Sequence, residues 1–226
     1  MNSSLPDIQK AKATRDRIVA SAETLFANAG YEGASTRKIA EAAGVPAGLV
    51  NYHFKSKEGL YRAVFENRAG TISDQRMAGL HIADMEPDSF RRAELVVRAM
   101  LMPMFQMRAN TRNATFGRLL VREVIDPHNQ KRGIMRDMFD PVALKVIEAL
   151  ADCFPDWTKA EMHWAYQTML GVMCQIISDN GRIEHLSDGA ASADDADAAI
   201  QHVSAILVAG FKHRKRELPR GRATKT

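Results

Sequence analysis

The run from Thr36 to Lys57, TRKIAEAAGVPAGLVNYHFKSK, constrains the fold more than any other stretch. Ile39 and Ala40 belong to one short helical segment, Leu49 and Phe54 to another, and Gly44-Val45-Pro46 lies between them. Gly44 suits the end of the first segment, where the residue just past a helix often takes positive φ. Ser35 or Thr36 can cap that segment. Ser56 opens a longer helix whose buried face carries Leu60, Val64 and Phe65. The pattern is two short helices about a tight turn. That geometry presents its second helix to the major groove of DNA.

The flanking sequence is helical as well. Ile18, Ala22, Leu25, Phe26 and Ala29 recur at spacings of three and four, with Thr14 as an N-cap and Gly30 as the stop. Helices are expected at about 89–108, with Pro103 kinking or ending it, and at 115–125, 130–139 and 142–153. Two more follow, from the Thr158 cap to about Ser178 and over about 194–213. No run alternates as a half-buried strand does, so the expected class is all-α: a three-helix DNA-binding unit plus a helical body. The expected divisions are a flexible arm at 1–11, the helix-turn-helix domain at 12–60, a ligand-binding and dimerisation body at 61–213, and a basic disordered tail at 214–226.

Composition narrows the class. The chain has 226 residues, 46% of them apolar, which suits a packed core rather than disorder. Every apolar run is too short to span a bilayer, and the polar N-terminus lacks a signal peptide's apolar segment, so the expected location is the cytoplasm. Cys153 and Cys174 form neither a disulfide framework nor a metal set, and read as buried free thiols. Charge is uneven: residues 1–70 hold 10 Lys/Arg against 7 Asp/Glu, residues 71–211 hold 14 against 19, and residues 212–226 hold 7 against 1. A basic front on a more acidic body suits a DNA-reading head coupled to another activity.

Side-chain chemistry fills in the head. The Thr36 hydroxyl and the free N–H groups of a helix start can face a phosphate, and Arg37 and Lys38 add charge there. Asn51 can bind an adenine edge with both its amide atoms. Tyr52 and His53 can bond phosphates or touch thymine methyls, or be ordinary surface residues. Lys57 suits a phosphate clamp. Gly48 suggests a close backbone approach, to DNA or to the second helix.

The segments AETLFANAGY, STRKIAEAAGV and AGLVNYHFKSKEGLY together resemble the N-terminal domain of TetR-family transcriptional regulators over residues 14–66. The resemblance implies DNA-facing roles for Thr36, Ala47, Asn51, Tyr52, His53 and Lys57. Two positions depart from it. Pro46 stands where the family often has Ser or Thr, which removes a side-chain cap. Ala47 stands where a polar residue is common, which leaves only apolar contact to a thymine methyl. The segments FGRLLVREVIDP and RGIMRDMF resemble the branch that includes fatty-acid-responsive repressors.

In the body, two long C-terminal helices offer a dimer surface through Tyr166, Met169, Met173, Val203, Ile206 and Phe211. A dimer reads two half-sites, so the operator is expected to be palindromic. Met104 and Met107 belong to a methionine cluster that can line an adaptable apolar pocket or simply fill the core. Arg118, Arg122, His163 and Gln167 are the polar candidates for orienting a ligand. Arg118 and Arg122, four apart, can grip an anion or form a solvated edge near Glu123 and Asp126.

The expected function is a dimeric, ligand-released repressor that needs no cofactor or metal and binds an operator and a small inducer. An architectural DNA binder with a basic tail is the alternative. An enzyme is disfavoured: the seven histidines are scattered, and no phosphate-binding glycine loop or nucleophile elbow appears.

Overall fold

The computed structural model describes residues 5–110, 114–178 and 180–217. Among them are twelve helices and no strand: α1 Leu5–Gly33, α2 Thr36–Ala42, α3 Ala47–Phe54, α4 Lys57–Asp84, α5 Ser89–Ala109, α6 Ala114–Ile125, α7 Asn129–Arg132, α8 Ile134–Met138, α9 Asp140–Cys153, α10 Lys159–Ile177, α11 Arg182–Leu186 and α12 Ala196–Glu217. The all-α class is as expected.

Several boundaries differ from the sequence expectation. α1 starts at Leu5, so Thr14 lies inside it rather than capping it, and residues 5–11 of the expected arm are helical. Its early turns carry Gln9, Lys10, Ala11, Lys12 and Ala13 in a row, residue types that favour helix without an apolar stripe. Gly30 does break the helix, at φ 72° and ψ 175°. α5 runs through Pro103 to Ala109 rather than ending early. The single helix expected at 130–139 is two, because Gly133 takes φ 66° between α7 and α8. α11 was not foreseen. α12 continues through residues 214–217, and the remainder of the basic tail, 218–226, lies outside the described residues.

The chain divides into two compact units, Met1–Thr71 with Thr111–Phe139, and Ile72–Asn110 with Asp140–Thr226. α6, α7 and α8 therefore group with the helix-turn-helix elements, and the expected division at residue 60 falls inside α4.

The first unit is built on Ile18, Ala22 and Phe26 of α1, Ile39 and Ala40 of α2, Val50 and Phe54 of α3, Leu60, Val64 and Phe65 of α4, and Phe116 and Leu119 of α6, all buried. Leu49 is 36% exposed, and Val50 is the residue of α3 buried beside Phe54. Val50 lies four residues before Phe54 and so shares its face, whereas Leu49 turns away. Edge-to-face ring contacts link Phe26 to Tyr61, Tyr61 to Phe65 and Phe65 to Phe116, with centroids 4.8, 5.1 and 5.5 Å apart.

The second unit packs α5 against α9, α10 and α12. α10 buries Met162, Ala165, Met169, Met173 and Ile177, one stripe at spacings of three and four. The Thr158–Glu161 capping box opens that helix. Phe154, Trp157 and Phe211 form an aromatic cluster, with Phe154 stacked on Trp157 at 4.8 Å.

Candidate nucleic-acid interface

Ser35, not Thr36, caps α2: its Oγ accepts the Lys38 N–H at 3.2 Å. A cap of this kind stabilises a helix by about 1 kcal/mol. Thr36 is the first helical residue and half-buried, with Arg37 and Lys38 exposed beside it. Gly44 takes φ +63°, and a Cβ there would meet nothing within 4 Å, so conformation rather than space requires the glycine. Pro46 stands at the N-cap of α3 without a side-chain cap bond, as its chemistry demands.

α3 is held from below and open above. Val50 and Phe54 are buried, and the Arg15 guanidinium lies 5.3 Å from the Phe54 ring centroid. Ala47, Asn51 and Tyr52 are exposed, Tyr52 at 70%. His53 is half-buried, its ring edge-on to Tyr52 at 5.2 Å. Gly48 has open space around it, so a close approach to the second helix is not its role.

Lys57 is less free than expected. Its ammonium donates to the Glu32 carbonyl at 3.4 Å and lies 4.5 Å from the Tyr31 ring centroid. Sequence reading missed Lys55, a non-glycine residue at φ 66° at the end of α3. Its ammonium donates to the Tyr52 carbonyl at 3.2 Å, which places a cation at the same edge as Tyr52. Only the rarity of positive φ in lysine marks it, and sequence does not display that.

A buried polar network fastens this platform to α6 and α7. Tyr61 donates to Glu123 at 3.0 Å, and Arg132 donates to Glu123 and to Asp126 at 2.7 and 2.8 Å. Burial, with Glu123 alongside, pushes the Tyr61 phenol far above its usual range, so it remains a donor. Arg68 pairs with Glu23 at 3.2 Å, joining α4 to α1.

The ligand candidates are divided between the two units. Arg118 and Arg122 belong to the first unit, Met104, Met107, His163 and Gln167 to the second. Glu123 and Asp126 bind Arg132, while exposed Arg122 donates to the Asn28 carbonyl at 3.4 Å and Arg118 is half-buried. Met104 is wholly buried and Met107 half-buried. His163 and Gln167 are exposed because the buried stripe of α10 occupies its opposite side; the His163 ring bonds the Lys159 carbonyl at 2.7 Å.

The dimer candidates separate in the same way. Met169, Met173 and Phe211 are buried within their own unit and are not available to a second copy. Tyr166 and Val203 are half-buried and Ile206 is 60% exposed. Trp164, not among the sequence candidates, is 71% exposed in the second turn of α10. Among the described residues no helix is long and apolar enough to cross a membrane, and no metal-holding group gathers.

Residues 18–64 match the family model for bacterial regulatory proteins of the tetR family, and residues 98–210, half of the chain, match the tetracyclin repressor-like C-terminal domain. The chain belongs to the TetR family. Among curated relatives, the HTH-type transcriptional repressor KstR2 of Mycolicibacterium smegmatis is 29% identical over 41% of this chain and 52% of its own. The HTH-type transcriptional regulator AcrR of Shigella flexneri is 36% identical over 29% and 31%. The chain thus spans about half or less of the length of these relatives. Among solved structures, the fatty acid degradation regulator FadR of Bacillus halodurans superposes with a TM-score of 0.64 at 18% identity, covering 88% of this chain and 96% of that one. FadR of Bacillus subtilis, solved with stearoyl-CoA, gives 0.63 at 17% identity, over 86% and 98%. These neighbours share the TetR fold. The resemblance read from the head motifs is thereby established, and these relatives and neighbours are transcriptional regulators rather than enzymes.

Proposed function

We propose that this TetR-family protein is a homodimeric, sequence-specific repressor, released from a palindromic operator by a small, largely apolar ligand. The observation that carries the reading is α3, anchored through Val50 and Phe54 while Ala47, Asn51 and Tyr52 remain open to a base edge. Asn51 and Tyr52 read bases; Thr36, Arg37, His53 and Lys57 hold phosphates, with Lys55 beside them. The exposed faces of α10 and α12, with Trp164 and Ile206, suit pairing with a second copy, which would set two α3 helices on one operator. The KstR2 relative is named a repressor, which supports repression, and a FadR neighbour was solved with stearoyl-CoA, which supports an effector with an apolar chain. A ligand that binds one conformation of the body better than another shifts the dimer off DNA by that difference in affinity.

The test is selection of a preferred duplex from random DNA, followed by fluorescence anisotropy across a salt series. A palindromic preference and an affinity that falls steeply with salt are expected. Equal affinity for selected and random duplexes would favour an architectural binder instead.

A further inference from the structure

Arg76 sits on α4 in the second unit with 5% of its surface exposed. Its Nε donates to the Met100 carbonyl at 3.0 Å, and one Nη lies 3.4 Å from the Met173 sulfur. Neither partner carries charge, and a thioether is a weak acceptor. No carboxylate pairs with this guanidinium among the described residues. The other sequestered arginines are treated differently: Arg132 has Glu123 and Asp126, and Arg108 has Asp194. Burial pulls the Arg76 pKa down, yet a guanidinium does not shed its proton in a protein. The second unit therefore encloses a cation whose hydrogen-bond partners, a carbonyl and a thioether, are both neutral.

The surroundings define what can complete it. Met100 and Met173 are themselves buried, and their unbranched side chains repack readily around an inserted chain. Tyr166, on α10, feels the Arg76 charge; burial keeps its phenol protonated, so it can donate to the same acceptor. Cations and donors select an anion, and the thioether walls select hydrocarbon. We propose that Arg76 anchors the anionic head, a carboxylate or a phosphate, of an amphiphilic effector whose apolar chain displaces Met100 and Met173. This assignment rests on the reading of the chain as a ligand-responsive regulator and names the chemistry of that ligand.

The experiment uses the full chain and three probes of equal length: dodecanoate, dodecyl phosphate and dodecanol. Binding is followed by calorimetry and operator release by anisotropy. At least one anionic probe is expected to bind the native protein about tenfold or more tightly than dodecanol, and the tighter head identifies the group recognised. Arg76→Met should erase that preference while its thermal midpoint stays at or above the native value, since a buried charge has been removed. Arg76→Lys should retain part of the preference, as a point charge without the planar fork. Equal binding of dodecanol in the native protein, no binding of either anion, or an undiminished preference in Arg76→Met would overturn the assignment. The native comparison decides even if the methionine variant fails to fold. Anion-selective binding without operator release leaves the anchor standing and removes the ligand-responsive reading. Operator release by all three probes alike does the reverse.

Discussion

Arg132 donates to both oxygens of Glu123, at 2.7 Å in the shortest contact, and Glu123 exposes none of its surface. The same guanidinium reaches Asp126 and lies 5.3 and 5.6 Å from the Tyr31 and Tyr61 ring centroids. Since Tyr61 donates to Glu123 from α4, one buried carboxylate ties α4, α6 and α7 together. Removing the cation leaves that carboxylate without its charge partner. Arg132→Met is expected to destabilise the fold by about 3–5 kcal/mol, and Tyr61→Phe by about 1–3 kcal/mol. Chemical denaturation measures both; an Arg132→Met chain as stable as the native one would mean that Glu123 finds solvent in the folded state.

Gly79 of α4 faces Ala99 of α5 so closely that a Cβ at 79 would lie 2.7 Å from the Ala99 Cβ and 3.0 Å from its Cα. Gly79→Ala should therefore destabilise by about 1–3 kcal/mol, although alanine is the better helix former. Ala99→Gly in the same chain should recover part of the loss by vacating the contact. Thermal unfolding of the two single variants and the double one gives the coupling, and strict additivity would contradict it.

Local signals were legible where backbone chemistry acts alone. Gly30 and Gly44 take the positive φ their positions suggest, and Thr158 caps α10 with Glu161 completing the box. What remained hidden depends on tertiary packing. Glu123 and Arg132 are nine residues apart across the Asp126-Pro127 break, so no helical spacing announces their pairing. Arg76, within the polar run DQR, reads as a solvated face until α5 and α10 enclose it. On α10 apolar residues occur on more than one face, and only packing separates the interior Met169 and Met173 from exposed Trp164.

The capping box should also register in acid. The Thr158 N–H, then its hydroxyl, then Arg214 bond the Glu161 carboxylate and hold its pKa below the ordinary 4.5. Asp126 is held low by the His128 N–H and by Arg132, and Asp137 by Arg62 and Arg136. Folded carboxylates thus give up protons that the unfolded chain still binds. Their stabilisation is complete above about pH 4.5 and is lost as pH falls through the depressed folded values. Thr158→Ala should cost about 1 kcal/mol at neutral pH and flatten this acid slope in part, because the hydroxyl is lost while the backbone N–H at 158 still bonds Glu161. Denaturation midpoints over a descending pH series measure it; a slope unchanged by the substitution would place the proton uptake elsewhere.

Asn51 and Lys57 should fail in different ways. An amide bound to a base edge discriminates by about 1–3 kcal/mol, so Asn51→Ala should weaken operator binding and relax preference at one position. Lys57 already has the Glu32 carbonyl and the Tyr31 ring as partners, and these hold its ammonium at the start of α4. If it meets a phosphate there, Lys57→Ala weakens all duplexes alike and lowers the salt slope by about one. A sequence-dependent loss at Lys57, or a uniform one at Asn51, would exchange the two roles.

Ile206 is 60% exposed on α12, and Trp164 71% exposed on α10. Large apolar side chains this open on two helices of one unit suit burial against another copy of the chain. Ile206→Arg adds a charge that a paired copy would have to bury, while the free chain keeps it solvated at no cost. The variant is therefore expected to sediment as a monomer with unchanged helical circular dichroism. It should lose most of its affinity for a palindromic operator and retain affinity for a half-site. A variant that still sediments as a dimer would move the interface off this face of α12.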